Sequence, residues 1–139
     1  MNGLSMFFAE NVEKRENKKV KVSKRYKDEN GNIAEWEIRS INADEDEAIR
    51  KECTKRVPVP GKKNQYTQDF DSNAYLAKLA ARSVVFPNLN DVALQNSHGA
   101  MSAEQLIKKM LYNDEFDYLV QQLTTYNSDI NDEVEEAKN

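Results

Sequence analysis

The first clear hydrophobic pattern along the chain is an alternation of apolar residues with lysine, serine and arginine, from about residue 18 to residue 26. This period of two predicts a half-buried strand. A second strand with the same period runs from about residue 33 to residue 41, and the two predict an antiparallel hairpin over about residues 18–41. The apolar positions are Val20, Val22 and Tyr26 in the first strand and Ala34, Trp36 and Ile38 in the second.

The loop of this hairpin decides which side chains face each other. A two-residue Asn30-Gly31 turn would place apolar residues of one strand on the polar face of the other. A three-residue loop, Glu29-Asn30-Gly31 with Gly31 left-handed, avoids this and leaves a ladder of opposite charges facing solvent. The expected pairs are Tyr26 with Ala34, Val22 with Ile38, Arg25 with Glu35 and Ser23 with Glu37.

Beyond the hairpin the apolar spacing becomes helical. Asn42 with Glu45 and Ser102 with Gln105 have the spacing of capping boxes. Pro87 ends one helix, and residues 57–70 contain two prolines, which predicts an extended loop or a short edge hairpin there. The predicted helices span about 43–54, 72–86, 91–97 with Asn90 as N-cap, 102–112 and 114–126.

These elements predict an α+β protein, in which an N-terminal antiparallel β-hairpin or small sheet precedes a helical C-terminal half. A length of 139 residues suggests one domain, which we place at residues 1–127. Residues 128–139 are polar and acidic, and we predict a disordered tail for them.

Composition indicates a globular protein that stays in the cytoplasm. With 39% hydrophobic residues, the chain has too many aromatic and aliphatic side chains for wholesale disorder. No apolar run reaches the roughly 20 residues of a membrane span, and the N-terminus lacks the basic lead and long apolar stretch of a secretory signal. The single cysteine agrees with a reducing compartment.

A search for catalytic or metal-binding groups finds little. One His and one Cys far apart do not form a metal site. Cys53 is expected to be a small buried hydrophobe, and His98 lies in a polar loop between helices. The four glycines form no phosphate-binding motif, so we expect no enzyme activity, no cofactor and no metal.

Nucleic-acid binding is the least favoured of the functions considered. The basic residues near the N-terminus are largely accounted for by the predicted hairpin ladder. The net charge is −4 and the pI is about 5.1, whereas a nucleic-acid-binding domain is usually basic. Phosphates could be reached by a group of bases in the Pro-rich region, namely Lys55, Arg56, Lys62 and Lys63.

The apolar faces of the last two helices can be core or partner surface. Packed as a hairpin against the helix at 72–86, they would bury most of their apolar residues. A surplus face on the last helix would instead be available to a partner. The candidate partner-binding residues are Phe116, Leu119, Val120, Leu123 and Tyr126.

Several strings of residues are informative together because of their order and spacing over about residues 4–127. The strings are Val22-Ser23-Lys24-Arg25-Tyr26, Glu35-Trp36-Glu37-Ile38-Arg39, Phe86-Pro87-Asn88-Leu89-Asn90-Asp91, Ser97-His98-Gly99, residues 106–111, and Glu115-Phe116 up to Leu119. In this order they resemble one family, the XkdN-like tail assembly chaperones of phages and prophages of Gram-positive bacteria.

The resemblance implies a non-catalytic protein of the host bacterial cytoplasm that binds the tape measure protein before the tail tube forms. In related systems a frameshifted longer form recruits the major tail tube protein. The chain departs from the family at Asn113-Asp114 and at Ser128, where glycines are common. Alternatives are a structural tail or head–tail completion protein retained in the virion, and a small nucleic-acid-binding regulator. The sequence does not decide whether the chain forms a homo-oligomer.

Overall fold

The computed structural model describes residues 3–127, which form mixed helices and small antiparallel sheets. Strands lie mostly in the N-terminal half and helices in the C-terminal half, which confirms the predicted α+β class. After a 3-10 turn at Gly3–Phe7, the elements are β1 Lys18–Val20, β2 Trp36–Ile38, α1 Ala43–Glu52, β3 Thr54–Pro58, β4 Tyr66–Phe70, α2 Ser72–Ser83, β5 Val84–Phe86, α3 Val92–Ser97, α4 Ala103–Met110 and α5 Asn113–Asn127.

The main sheet has three antiparallel strands in the order β1-β2-β5. Val20 lies opposite Trp36, and Ile38 lies opposite Val84 after a register shift. The strands β3 and β4 form a separate two-stranded hairpin. The prediction of a single domain over residues 1–127 stays a prediction, and the predicted acidic tail lies outside the described residues.

The tip of the first hairpin has the predicted three-residue loop. Gly31 is left-handed with a φ of 81°, and Lys27 bridges Ile33. The Ala34 amide donates to the Tyr26 carbonyl at 2.7 Å, as expected for the predicted pairing of these two residues. This part of the loop prediction is confirmed.

The rest of the predicted register is wrong. Ile38 pairs with Lys18 rather than with Val22, because residues 21–25 leave the ladder. The predicted pairs of Arg25 with Glu35 and of Ser23 with Glu37 are also wrong. The Arg25 and Ser23 side chains instead reach Glu115 on α5.

The predicted helix at 72–86 ends early. Helix α2 spans Ser72–Ser83, and Val84–Phe86 forms the edge strand β5. The residues of β5 are apolar and two of them are β-branched, which suits a strand, and Pro87 follows β5 rather than the helix. The helical spacing of the sequence continued through this strand and concealed it.

The region 57–70, predicted as an extended loop or short edge hairpin, contains most of the second hairpin. Its ladder runs from Thr54 opposite Phe70 to Pro58 opposite Tyr66. Thr54 therefore belongs to β3, and α1 ends at Glu52 rather than at the predicted residue 54.

Most of the predicted helix starts depend on local caps and are confirmed. Asn42 and Glu45 form the complete capping box of α1. Ser102 caps α4 by accepting from the Gln105 amide, although the Gln105 side chain accepts from Met101. The predicted Asn90 cap is wrong, because the Asp91 side chain accepts from the Leu94 amide and caps α3.

The core lies between the main sheet and the C-terminal helices. One cluster of buried residues contains side chains from β1, β2, α2, β5, α4 and α5. Its largest fully buried members include Trp36, Ile38, Leu106, Ile107 and Leu119. This packing fixes α5 against the rest of the core, which matters for the candidate surfaces below.

Candidate partner-binding surfaces

The two residues considered for chemistry occupy helix ends. Cys53 is the C-cap of α1 and is buried, as predicted. His98 is the C-cap of α3. Among the described residues, no group of three or more His, Cys, Asp or Glu side chains could hold a metal ion.

A polar clamp, formed by Ser23, Arg25, Tyr26 and Glu115, ties the first hairpin to α5. The Arg25 guanidinium contacts Glu115 Oε1 at 2.5 Å and donates to the Met110 carbonyl at 2.8 Å. Tyr26 Oη donates to the same carbonyl at 2.5 Å, and the Ser23 hydroxyl donates to Glu115. The clamp therefore satisfies the carbonyl that ends α4 and the carboxylate that begins α5.

The clamp changes the acidity of its carboxyl group. The pKa of Glu115 is lowered from 4.5 to about 2, mainly by the hydrogen bond from Arg25. Burial opposes this shift, and the hydrogen bonds from Ser23 and the Tyr112 amide add to it. Burial raises the pKa of Tyr26. Glu115 is thus held as a carboxylate by the fold, and it serves as a structural anchor.

A second polar network joins α1 to α2. Tyr75 Oη donates to Asp46, and Arg50 Nε contacts Asp46 Oδ2 at 2.8 Å. The hydrogen bond from Tyr75, followed by that from Arg50, lowers the pKa of Asp46. The Glu52 carboxylate forms two salt bridges to α2, one with Lys78 Nζ at 3.1 Å and one with Arg82 Nη2 at 2.9 Å.

The predicted partner-binding residues of α5 lie in different environments. Leu119 and Leu123 are buried in the core, with 0% and 2% of their surface exposed. Phe116 packs against the core and Val120 is half-buried. The side chain of Tyr126 lies outside the described part of the structure. Binding by these five residues stays a prediction, and binding through Leu119 and Leu123 would require α5 to leave the core.

Large exposed apolar side chains are found elsewhere on the surface. The first group belongs to the N-terminal turn and the residues just after it, and it includes Leu4, Met6, Phe7 and Phe8. The second group is on β5, where Val85 and Phe86 are 40% and 60% exposed.

The β5 residues line a shallow groove on the outer face of the main sheet, which we call the sheet groove. Its lining consists of Lys19, Glu35, Glu37, Val85 and Phe86. The ladder aligns Lys19, Glu37 and Phe86 across the three strands, on the face opposite the buried Trp36 and Ile38. The sheet groove thus combines an apolar centre with charges of both signs.

Sequence reasoning missed the sheet groove because it placed Val85 and Phe86 on a helix. Their signal was a run of three apolar residues directly before a proline, Val84-Val85-Phe86-Pro87. Such a run fits a short strand as well as a helix end.

No helix within residues 3–127 has the length and apolar character needed to span a bilayer.

Fold and surfaces together define a small α+β protein that presents an exposed apolar groove and charged patches, features suited to binding other macromolecules. The family model described as "Phage XkdN-like tail assembly chaperone protein, TAC" matches residues 4–138. The chain therefore belongs to this family, and the resemblance found in its sequence is confirmed.

Individual relatives agree with this assignment. The chain is 26% identical over 141 aligned residues to the "Phage-like element PBSX protein XkdN" of Bacillus subtilis strain 168, covering 98% of this chain and 93% of that protein. It is 25% identical over 108 residues to the B. subtilis protein YqbN, covering 78% of this chain and 71% of YqbN.

The crystal structure of the protein YqbN has a similar fold. It superposes with a TM-score of 0.75 at 20% identity, covering 92% of this chain and 98% of that one.

Proposed function

We propose that this protein binds the tape measure protein of its phage in the host cytoplasm and assists assembly of the tail tube, without catalysing a reaction. The observation that carries the proposal is the family match, which extends over nearly the whole chain. The family supplies the tail assembly role, and the surface of the protein suggests how a partner could be held.

The sheet groove supports this proposal. A long helical partner can be bound through one apolar face, with flanking polar residues that contact charges at the rim of a groove. Phe86 and Val85 offer the apolar contact, while Lys19, Glu35 and Glu37 offer charges of both signs. We therefore propose the sheet groove as the main contact, with the predicted α5 residues as the competing location.

The experiment is a binding measurement with fragments of the tape measure protein encoded by the same phage. A Val85→Ser, Phe86→Ser variant is expected to weaken binding by at least about tenfold, because a buried aromatic anchor often contributes 2 kcal/mol or more. The matched control is Val92→Ser, Met101→Ser, which changes two exposed apolar residues outside the sheet groove and should leave affinity unchanged.

Two results would count against these assignments. Absence of binding to every tape measure fragment would refute the proposed partner. Full binding by the β5 variant would refute the sheet groove. In that case Val120→Thr, which changes α5 with little change in volume, tests the competing location.

A longer form of the protein, made by ribosomal frameshifting, is proposed to recruit the major tail tube protein. A slippery heptamer in the gene near the codons for residues 120–139 and a second, larger product in infected cells are expected. The finished virion is expected to lack both forms. Stoichiometric amounts in purified particles, measured by mass spectrometry, would favour a structural tail protein instead.

A further inference from the structure

The β3–β4 hairpin lies outside the core and is attached to the body of the protein at its base. The Asp71 amide donates to the Cys53 carbonyl at 2.8 Å, and the ring of Phe70 lies 5.6 Å from that of Tyr75. Each strand spans about 14 Å between its first and last Cα atoms. No residue from Thr54 to Phe70 is buried, so a ligand has access to the hairpin from both faces and at its tip.

Positive charge is concentrated in the part of the hairpin beyond its base. Residues 56–68, here called the distal hairpin, contain Arg56, Lys62 and Lys63 and no Asp or Glu. Their net charge is therefore +3, in a chain whose net charge is −4. All three bases are exposed. Within the part of the chain that the structure describes, the ion pairs are formed by other bases, so these three are available to an anionic ligand.

The tip of the hairpin presents its lysines on an ordered turn. The Lys62 amide donates to the Val59 carbonyl at 3.2 Å, and the Val59 amide donates to the Gln65 carbonyl at 2.9 Å. Pro60 fixes its own φ, and Gly61 follows in the left-handed conformation with a φ of 77°. Because the backbone of the loop is already ordered, less conformational entropy is lost when its side chains contact a ligand.

Side chains suited to nucleic acid accompany the bases. The Arg56 guanidinium carbon lies 3.9 Å from the centre of the Tyr66 ring, and the ladder places Gln68 opposite Arg56, on the same face. Asn64 and Gln65 are exposed next to the lysines of the tip. Arginine, lysine and side-chain amides are the groups with which proteins contact phosphates, sugars and base edges.

This composition and shape favour double-stranded DNA over an acidic protein as the ligand. The cores of protein interfaces are rich in aromatic residues and poor in lysine, whereas the tip, residues 59–65, has two lysines and no aromatic residue. The major groove of B-form DNA, about 12 Å wide, admits a two-stranded β-ribbon. The major groove of A-form RNA is deep and narrow and does not admit side chains in this way.

The negative charge of the whole chain does not prevent such contacts. The carboxylates nearest in sequence, Glu52, Asp69 and Asp71, lie at or near the base of the hairpin, where Asp69 is opposite Lys55. The tip lies beyond the ladder, at least about 10 Å from Asp69, and the Debye length is about 8 Å at physiological ionic strength. These negative charges are therefore largely screened at the tip.

We propose that the distal hairpin binds double-stranded DNA by entering the major groove as a two-stranded ribbon. Arg56, Lys62 and Lys63 contact the phosphates on the two sides of the groove, so the bases need not share one face of the hairpin. Phosphate contacts carry no sequence information, and binding is therefore largely independent of base sequence. This inference goes beyond the proposed function and does not depend on the tape measure protein or on the sheet groove.

Fluorescence anisotropy of the full chain with a labelled duplex of about 20 base pairs, two helical turns, tests the proposal. Three phosphate contacts predict a slope of about −2.7 for log K against log salt concentration. Affinity should therefore fall about 40-fold between about 0.05 M and about 0.2 M salt, and a duplex of unrelated sequence should behave in the same way. A slope near zero, or no binding at the lower salt concentration, would overturn the proposal.

Matched variants separate the distal hairpin from net charge. R56Q/K62Q/K63Q should weaken binding at least about tenfold at the lower salt concentration and bring the slope close to zero, since each lost phosphate contact reduces the slope by about one. The control K14Q/K24Q/K108Q removes three exposed lysines elsewhere, changes the net charge equally and should retain most of the affinity. Circular dichroism checks that both variants are folded. Equal losses of affinity in the two variants would refute the assigned site.

Two further ligands identify the class of partner. Polyglutamate of the same charge as the duplex offers carboxylates without a groove and should compete only weakly, and double-stranded RNA should bind several-fold more weakly than DNA. Polyglutamate that binds as tightly as the duplex would make the distal hairpin a site for acidic polypeptide and would overturn the assignment to DNA. Equal affinity for RNA and DNA would overturn insertion into the major groove. Since none of these measurements includes the tape measure protein, their outcome is separate from that of the proposed function.

Discussion

At the scale of single residues, Glu115 links segments far apart in sequence. Its carboxylate joins α5 to Arg25 and Ser23 in the first hairpin. The Arg25 side chain is 45% exposed and that of Glu115 is 14% exposed, so solvent weakens but does not remove the interaction. Because Glu115 accepts hydrogen bonds from both side chains and pairs with the charge of Arg25, we expect it to contribute measurably to stability.

The first prediction concerns the pH dependence of that contribution. The pKa of Glu115 in the folded protein, about 2, is below its ordinary value of 4.5. The carboxylate therefore stabilises the fold above pH 4.5, and the stabilisation is lost as the pH falls from about 4.5 towards 2. Compared with Glu115→Gln, the wild type should be more stable at pH 7 by on the order of 1–3 kcal/mol.

The measurement is chemical denaturation of both proteins across this pH range. Lowered pKa values at Glu45, Asp46 and Glu52 also make the wild type acid-sensitive. Both proteins keep those groups, so the difference between the two curves isolates Glu115. A difference that stays constant from pH 7 to pH 2 would contradict the assigned role.

The second prediction concerns Gly31 at the hairpin tip. A Cβ added to Gly31 would meet no atom within 4 Å. A substituted side chain at this position is therefore strained by the backbone φ of +81°, and not by a steric clash. Gly31→Ala should destabilise the protein by about 1–2 kcal/mol. Gly31→Asn should cost less, because asparagine tolerates this conformation. Equal losses for the two substitutions in thermal unfolding would contradict this explanation.

Features of this kind were predictable from sequence because their causes lie within a few residues. The left-handed Gly31 and the caps at Asn42 and Ser102 depend only on neighbours along the chain. The partner of Arg25 was not predictable in the same way. Glu115 is separated from Arg25 by 90 positions. Glu35 is much nearer in sequence and carries the same negative charge as Glu115, so it was the expected partner.

At the scale of elements, α5 is part of the core. Leu119 and Leu123 are buried against side chains from the sheet and α4. The amphipathic pattern of α5 predicted its helical structure correctly. That pattern alone does not distinguish a face that binds the core from one that binds a partner.

The third prediction tests the packing of α5. Leu119→Ala should destabilise the protein by about 2–5 kcal/mol, because it creates a cavity at a fully buried position. Val92→Ala, at a residue that is 68% exposed, should change stability by less than about 0.5 kcal/mol. Urea denaturation measures both. A near-neutral Leu119→Ala would indicate that α5 is only loosely attached.

Sheet pairing was harder to predict than helix position. Residues 21–25 leave the first ladder because Val22 and Ser23 are buried and Arg25 reaches α5. Strand β5 forms because it pairs with one edge of β2, which lies more than forty positions earlier in the chain. The sheet groove depends on the pairing of β2 with β5. Local periodicity does not reveal this pairing, and it therefore pointed to the α5 surface instead.

At the scale of the whole molecule, stability is unevenly distributed. The main sheet and the C-terminal helices share one buried cluster. The β3–β4 hairpin (residues 54–70) contributes no buried residue, and both residues of its terminal pair, Pro58 and Tyr66, are exposed. The protein therefore combines a firmly packed body with a hairpin, β3–β4, that is held mainly by its own ladder of hydrogen bonds.

The fourth prediction is that the β3–β4 hairpin opens more readily than the body. Amides of β3 and β4 should exchange with solvent deuterium through openings of lower free energy than those of β2 and α4. Hydrogen exchange followed by mass spectrometry measures this directly. Equal protection of the β3–β4 hairpin and the body would show that they unfold together as one unit.

The position of Trp36 has a practical consequence for all of these measurements. It is the one tryptophan of the chain, its side chain is 2% exposed, and its ring lies 6.4 Å from that of Tyr26. Indole fluorescence responds to the polarity around the ring, so unfolding should shift the emission to longer wavelength. The sheet groove lies on the opposite face of β2, so a ligand seated there should leave the emission wavelength unchanged. A single optical signal can thus tell loss of the fold from occupation of its outer surface.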